Sequence, residues 1–267
     1  MLIDSHCHLD AQEFGNAALA IARRSAEQGV RWIVMPAVGR ENFEVVRTLA
    51  HQFDGGVYAL GIHPMYVPSA PEADLAALRE QVDQSLSDPR FIGVGEIGLD
   101  FFIPELREGA LRDKQEFFYV EQLKIARDAG LPVILHVRRS QDTLLKYLRR
   151  VRVSGGLAHA FNGSEQQAKA FIDLGFALGF GGAMTFTRAL QIRRLAATLP
   201  PTALALETDA PDISPAWLHP AVNTPEQLPS IAAVLAELRG QPVAEIARQT
   251  TENVARVLPR LGSLMMA

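Results

Sequence analysis

Residues 91–97 read FIGVGEI and residues 132–137 read PVILHV, and an amphipathic segment, 109–129, lies between them. Both apolar runs are short and almost uninterrupted, which is typical of parallel strands that are covered on both faces. The stretch therefore predicts a β-strand, a helix and a second, parallel β-strand.

The same unit recurs on both sides of this stretch. Further strands are predicted over 2–6, 30–36, 57–62, 156–160, 175–180 and 203–208. Helices are predicted over 15–29, 41–53, 71–87, 109–129, 140–150, 164–174, 187–199, 225–239 and 242–257. Eight strands alternating with helices indicate an α/β fold, a single-domain (β/α)8 barrel over residues 1–267. The alternative is an open doubly wound sheet, and the missing G-x-G-x-x-G turn after the first strand excludes its dinucleotide-binding form.

Two helix boundaries carry explicit signals. Ser164 precedes the segment 164–174 and Gly175 follows it, which predicts an N-cap and a C-terminal stop. Asp113, with Glu116 three residues later, has the spacing of a capping box and predicts a helix start at Asp113.

Composition narrows the class of protein. The chain has 267 residues, 48% hydrophobic and 21% charged, as in ordinary globular proteins. A formal net charge of −4 argues against a basic protein that coats nucleic acid. Cys7 is the single cysteine, so no internal disulfide can form, and a cytoplasmic location is expected. The N-terminus lacks the pattern of a signal peptide, and no apolar run predicts a membrane span.

Ionisable residues collect at the ends of the predicted strands, where a barrel carries its active site. Asp4, His6 and His8 follow the spacing i, i+2, i+4 and would share one face of the first strand, with Cys7 facing away. Two imidazoles at this spacing bind one metal ion, or else form a hydrogen-bonded pair at a strand end. Because buried ionisable groups are costly unless paired or bound to metal, we favour a metal.

Four other strands end in metal-ligand residue types, namely Glu96, His136, His159 and Asp209. Each alone has a structural explanation, but their coincidence with His6 and His8 predicts one six-residue ligand set. Such a set suits two divalent ions about 3.5–4 Å apart, with the Glu96 carboxylate between them. Imidazole ligands favour Zn²⁺ or Mn²⁺ over Mg²⁺.

Three carboxylates are expected to support this set. Asp4 and Glu207 lie on the same strand faces as the predicted ligands and would hydrogen-bond to them. Asp100 is a weaker candidate, either as a supporting group or as a cap.

The stretches that carry these residues resemble the TatD family of metal-dependent hydrolases. They are IDSHCHLD (3–10), GIHP (61–64), GEIGLD (95–100), PVILHVR (132–138), AHAFNG (158–163) and LETDAPD (206–212). The resemblance implies a TIM barrel with two ions, one held by His6, His8, Glu96 and Asp209 and the other by Glu96, His136 and His159. It also implies that His63 lines the substrate pocket and that the activity is a Mg²⁺-dependent deoxyribonuclease.

The sequence departs from this family in one loop. Family members often carry a basic loop after the last barrel strand, whereas residues 217–225 read WLHPAVNTP and contain no lysine or arginine. This difference counts against phosphate binding by that loop.

The predicted reaction is hydrolysis of DNA phosphodiester bonds, with Asp209 as general base. Arg138 would clamp a phosphate or else form a surface ion pair, and His63 would donate to a phosphate oxygen or to the leaving group. Three aromatic residues in nearby loops would stack on bases or form an apolar lid: Phe101, Phe102 and Phe161.

Two alternatives remain at this point. The same ligand set would serve a hydrolase of carbon esters or amides, including the ester of an aminoacyl-tRNA, because the ligands do not distinguish phosphorus from carbon. A metal-stabilised scaffold without catalysis is the other alternative, and the complete ligand set argues against it.

Overall fold

The computed structural model describes residues 1–266, which contain eight strands and ten helices. The strands are β1 (Leu2–Asp4), β2 (Val30–Pro36), β3 (Gly56–Leu60), β4 (Phe91–Asp100), β5 (Val133–Arg138), β6 (Gly156–Ala158), β7 (Phe176–Phe180) and β8 (Leu204–Leu206). The helices are α1 (Ala18–Glu27), α2 (Phe43–His51), α3 (Ala73–Ser85), α4 (Gly109–Asp128), α5 (Gln141–Arg150), α6 (Glu165–Asp173), α7 (Leu190–Thr198), α8 (Leu228–Arg239), α9 (Val243–Val257) and α10 (Pro259–Met266).

The strands form one closed ring. Each strand pairs in parallel with the next, in the order β1 to β8. Two backbone hydrogen bonds join the segments of β1 and β8. The Ser5 amide donates to the Leu206 carbonyl over 3.1 Å, and the Asp209 amide donates to the His6 carbonyl over 2.9 Å. The predicted (β/α)8 barrel is therefore confirmed, and the open sheet is excluded.

The interior of the barrel is filled by apolar side chains. Every strand contributes at least one buried residue to a common cluster: Ile3, Val34, Val57, Ala59, Ile92, Ile134, Leu157, Ala177 and Ala205. Leu258 and Leu261 pack against this cluster, and Arg260 donates to the Phe91 carbonyl at the start of β4 over 2.5 Å. Helix α10, which the sequence analysis did not predict, thus covers the amino ends of the strands and leaves the carboxyl ends for chemistry.

The helix signals had mixed outcomes. Ser164 Oγ accepts the Gln167 amide over 3.1 Å and the Gln167 side chain accepts the Ser164 amide over 2.9 Å, so the predicted cap of α6 is confirmed. The helix predicted over 109–129 is confirmed as α4, which begins at Gly109, so the capping-box start at Asp113 is wrong. Among residues 1–266, no helix is both long enough and apolar enough to span a membrane.

Candidate metal centre

The end of β1 differs from the predicted extended strand. β1 stops at Asp4, so His6 and His8 lie beyond it and do not share a strand face with Asp4. Asp4 Oδ1 accepts the Thr208 amide over 2.9 Å and Oδ2 accepts the Thr208 hydroxyl over 2.5 Å. Burial raises the pKa of Asp4 to about 7. Asp4 therefore fixes the chain after β1 to the chain after β8.

Glu96 lies inside β4, not where the strand becomes a loop as the sequence suggested. The pairing of β4 with β5 shifts by one residue between Val94 and Ile97, and this bulge carries Glu96. Gly95 is required there, because a Cβ at that position would lie 2.6 Å from the Cβ of Ile134. The bulge aims a buried carboxylate into the carboxyl end of the barrel.

One oxygen of that carboxylate faces three imidazoles. Glu96 Oε1 lies 2.9 Å from His136 Nδ1, 3.1 Å from His159 Nε2 and 3.4 Å from His63 Nε2. These distances confirm that the strand ends after β3, β5 and β6 converge on Glu96.

The other oxygen faces the segment after β1. Glu96 Oε2 lies 3.1 Å from His6 Nε2 and 3.3 Å from His8 Nε2, and these two nitrogens are 3.2 Å apart. Asp209 Oδ1 completes this side at 3.6 Å from His6 Nε2 and 3.9 Å from His8 Nε2. A single carboxylate thus separates two groups of donor atoms.

The charge state of Glu96 follows from its neighbours. Burial alone would raise its pKa, but the histidines His63, His6 and His159 outweigh burial and hold the pKa well below its usual range. Asp209 has the opposite outcome, because burial raises its pKa to about 6. The site therefore holds one firmly ionised carboxylate beside one that titrates closer to neutrality.

Two further carboxylates contact the ring nitrogens of His136 and His159 that do not face Glu96. Asp100 Oδ2 lies 3.1 Å from His136 Nε2, while its Oδ1 accepts the Phe102 amide over 2.8 Å. Glu207 Oε1 accepts the Ala160 amide over 2.5 Å and lies 3.7 Å from His159 Nδ1. Asp100 combines the two roles that the sequence left open, a cap and a support.

His63 differs from the other histidines in its second nitrogen. His63 Nδ1 accepts the backbone amide of Met65 over 3.1 Å, so in the neutral ring Nε2 carries the proton. Burial lowers the pKa of His63 to about 4, which keeps the ring neutral near pH 7. Its Nε2 is therefore a hydrogen-bond donor and not a metal ligand in this tautomer.

The donor set fits divalent cations. Three groups have ligand atoms within 4.8 Å of one another: His6, His8, Asp209; His6, Glu96, His159; and His63, Glu96, His136. Glu96 Oε2 is buried without a hydrogen-bond partner in the part of the chain that the structure describes. Imidazole nitrogens and carboxylate oxygens gathered this closely suit a transition-metal ion, which would replace the protons that otherwise lie between them.

The centre opens into a cleft of about 880 Å³. Among its described lining residues, Arg138 and Arg139 are the only lysine or arginine residues. Their guanidinium carbons lie 4.0 Å and 4.8 Å from the ring centre of Phe102, which is 44% exposed. Phe161, by contrast, is buried against Phe171, so the prediction that it stacks on bases is wrong.

The sequence analysis missed Arg139, which has a positive φ of 56°. Three other non-glycine residues share this left-handed conformation, Ala160, Asp209 and Ile213, and all four line the cleft. Such strain is held in place only where the surrounding structure enforces it, and it collects at functional sites. No local sequence signal marks these positions, because none of them is glycine or asparagine.

The model of the family described as TatD related DNase matches residues 3–259. The chain belongs to the TatD family. The TatD relative YjjV of Escherichia coli, described as an uncharacterized metal-dependent hydrolase, is 39% identical over 252 residues, 94% of this chain and 95% of its own. The crystal structure of YjjV superposes with a TM-score of 0.91 over 97% of this chain and 98% of its own, at 38% identity.

A more distant TatD relative carries a more specific name. The human deoxyribonuclease TATDN3 is 28% identical over 271 residues, 99% of this chain and 97% of its own length. The chain is thus a metal-dependent hydrolase of the TatD family, and its candidate metal-binding groups consist of histidine, glutamate and aspartate side chains.

Proposed function

We propose that this TatD protein is a deoxyribonuclease that hydrolyses phosphodiester bonds with two divalent ions. The observation that carries the proposal is the position of Glu96, whose two oxygens face separate groups of imidazoles. Arg138 and Arg139 at the mouth of the same cleft support an anionic substrate. The name of the human relative agrees with this substrate.

In this proposal His6, His8, Glu96 and Asp209 hold one ion, and Glu96, His136 and His159 hold the other. The ions, which are Mg²⁺, Mn²⁺ or Zn²⁺, would lower the pKa of water and neutralise charge on the phosphoryl oxygens. Glu96 is suited to lie between them because its pKa is held low and it stays ionised.

Asp209 accepts the proton of the attacking water. Its carboxylate is 14% exposed and faces the cleft, so water reaches it, whereas Glu96 is almost fully buried. Without bound metal, burial raises the pKa of Asp209 to about 6, which is still below 7, so its carboxylate is ionised near neutral pH and can accept a proton.

His63 and Arg138 bind the phosphate. The neutral His63 ring presents Nε2–H and donates to a phosphoryl oxygen rather than acting as a charged acid. Arg138 keeps only a distant ion pair, 3.8 Å from Asp100 Oδ2, so most of its donors remain free for a phosphate.

A carbon ester or amide is the second candidate substrate. Three carboxylates line the same cleft, Asp10, Glu13 and Asp212, and would repel a long polyanion. The loop 217–225 also supplies no cation. These features favour a small or weakly charged substrate, such as an ester, over extended DNA.

The test uses metal-stripped protein and end-labelled single-stranded DNA, with Mg²⁺, Mn²⁺ or Zn²⁺ added back in turn. The Asp209→Asn variant controls for contaminating nuclease. Metal-dependent shortening of the DNA that is lost in the variant supports the proposal. Intact DNA with stoichiometric bound metal, measured by elemental analysis, would overturn it and direct the search to carboxylic esters and aminoacyl-tRNA.

A further inference from the structure

A second cavity of about 810 Å³ adjoins the metal cleft. It lies between the segment after β7 and the segment after β8. The two cavities share wall residues, among them Ala183, Ile192 and Pro211, so they adjoin one another. A ligand long enough to pass these residues would reach from the metal centre into the second cavity.

The walls of this second cavity are apolar and open to solvent. Ile213 is 37% exposed and Val222 is 48% exposed, although both are large aliphatic side chains. Ala189 and Ile192 complete the apolar lining. Exposed aliphatic side chains gathered around a concave site indicate a ligand with an apolar face.

One wall carries aromatic rings and a cation. The ring centres of Phe186 and His219 are 5.7 Å apart in an edge-on arrangement, and the guanidinium of Arg188 lies 5.6 Å from the centre of Phe186. Arg188 is exposed to solvent, and within residues 1–266 its guanidinium forms no ion pair. A ligand with a planar ring and an attached negative group would contact both the aromatic rings and the guanidinium of Arg188.

Arg188 and Phe186 form an arginine–aromatic pair, as Arg138 and Phe102 do at the mouth of the cleft. Phe102 follows β4 and Arg138 ends β5, whereas Phe186 and Arg188 follow β7. The two pairs thus lie two to three strands apart around the eight-strand ring.

We propose that the second cavity is a nucleotide subsite that binds the nucleoside next to the bond being cleaved. The base lies on Phe186 and His219, and the adjoining phosphate pairs with Arg188. This inference rests on the proposed nuclease function and extends it.

Two carboxylates at the junction of the cavities restrict how the nucleotide lies. Glu13 and Asp212 line both cavities and repel phosphate, which leaves the Arg188 side for the anion. The same carboxylates accept hydrogen bonds from an amino group on a base. Cytosine and adenine are therefore favoured over thymine.

The first experiment measures binding and does not depend on catalysis. The metal-loaded protein is titrated calorimetrically with deoxycytidine monophosphate and, separately, with inorganic phosphate, which reports the metal centre alone. We expect the nucleotide to bind about tenfold more tightly than phosphate, from stacking on the aromatic wall. This ratio should fall to near one in Phe186→Leu and in Arg188→Ala.

Arg194→Ala is the matched control, since Arg194 is an exposed arginine on α7 outside both cavities and should leave the ratio unchanged. A ratio near one in the unaltered protein, or a ratio unaffected by both variants, would overturn the subsite.

The second experiment tests whether the subsite binds a nucleotide within a DNA chain or a free nucleotide. Hydrolysis of a deoxycytidine-containing trinucleotide, which keeps a second phosphate beside the bond being cleaved, is compared with that of thymidine 5′-(p-nitrophenyl) phosphate, whose only phosphate is the one attacked. Arg188→Ala should lower kcat/KM about tenfold for the trinucleotide and leave the aryl ester within twofold. Equal losses of kcat/KM on both substrates would overturn the assignment of the subsite to a nucleotide within a DNA chain. If neither substrate is cleaved, the nuclease proposal fails, and the calorimetric ratio still decides the subsite.

Discussion

Nε2 of His136 lies 3.1 Å from Oδ2 of Asp100, and this contact leaves Nδ1 as the nitrogen that faces Glu96. A carboxylate that accepts the far N–H of an imidazole fixes its tautomer and makes the other nitrogen a better ligand. Asp100 thereby decides how His136 takes part in the metal centre, although it does not lie beside Glu96.

Asp100→Asn should weaken metal binding about 10–100-fold, because the amide nitrogen cannot accept the His136 proton. The measurement is a competition titration of the metal against a chromophoric chelator. Asp128→Asn, an exposed carboxylate change on α4, is the control and should leave affinity unchanged. Equal affinity in Asp100→Asn and the unaltered protein would show that Asp100 serves only as a cap.

Metal should stabilise the fold. An ion at a hundredfold excess over its Kd adds about 2.7 kcal/mol to the free energy of unfolding, so a chelator should lower Tm by several degrees. The gain should shrink as the pH falls from 8 to 5, because imidazoles must lose their protons to bind metal. Proton competition begins early, since Glu96 outweighs burial and raises the pKa of His8 to about 9. Thermal scans with and without chelator between pH 5 and pH 8 test this, with His159→Gln expected to lose most of the gain. A chelator without effect on Tm at pH 8 contradicts the metal centre.

Gly179→Ala should destabilise the protein by about 1–3 kcal/mol, since a Cβ at Gly179 would overlap the carboxylate of Glu207. Urea unfolding gives the change. Glu207→Ala should relieve the clash, so the double variant should be more stable than the sum of the two single changes predicts. Additive losses would mean that Gly179 is required for another reason.

Arg138→Ala should reduce the dependence of DNA cleavage on salt. If Arg138 neutralises one phosphate, the slope of log kcat/KM against log salt concentration should fall by about one. Arg248→Ala on α9, whose guanidinium is bound by Glu245 and Glu252, should leave the slope unchanged. An unchanged slope in Arg138→Ala would assign Arg138 to packing on Phe102.

Asp88 should contribute to stability only when ionised. Burial opposes its ionisation, but hydrogen bonds from His51, the Arg90 amide and Tyr58 outweigh burial and lower the pKa of Asp88. Because the pKa of Asp88 is lower in the folded protein, ionised Asp88 stabilises the fold at pH values above its unfolded pKa of about 4. This stabilisation is lost as the pH falls through the folded pKa. Asp88→Asn should therefore cost about 1 kcal/mol at pH 7, and this cost should shrink as the pH falls below about 4, as measured by urea unfolding. A cost that does not change with pH in the acid range would rule out a charge effect.

The barrel was predictable because its strands follow a simple rule. Strands covered on both faces are apolar throughout, so residues 91–97 and 132–137 stand out against the amphipathic segments between them. Their polar ends then mark the same rim of the barrel, which is why His136 and His159 could be assigned to one site from spacing alone.

Other features could not be predicted from the sequence, because they depend on contacts between residues that are far apart in the sequence. The bulge that aims Glu96 arises from the pairing of β4 with β5. Asp4 accepts hydrogen bonds from the amide and hydroxyl of Thr208, 204 residues away in the sequence. The capping-box spacing of Asp113 was outweighed by packing of the longer helix α4. Helix α10 was missed because only the open end of the finished barrel explains its apolar residues.

The loop 213–222 forms a wall of the second cavity yet supplies none of the six donor side chains. If the second cavity binds substrate as we propose, recognition and chemistry lie on separable stretches of sequence. Evolution can alter the loop without disturbing the ion-binding residues, and family members with one shared centre can come to act on different molecules. A library randomised at Ile213 and Val222 would explore the same freedom in the laboratory.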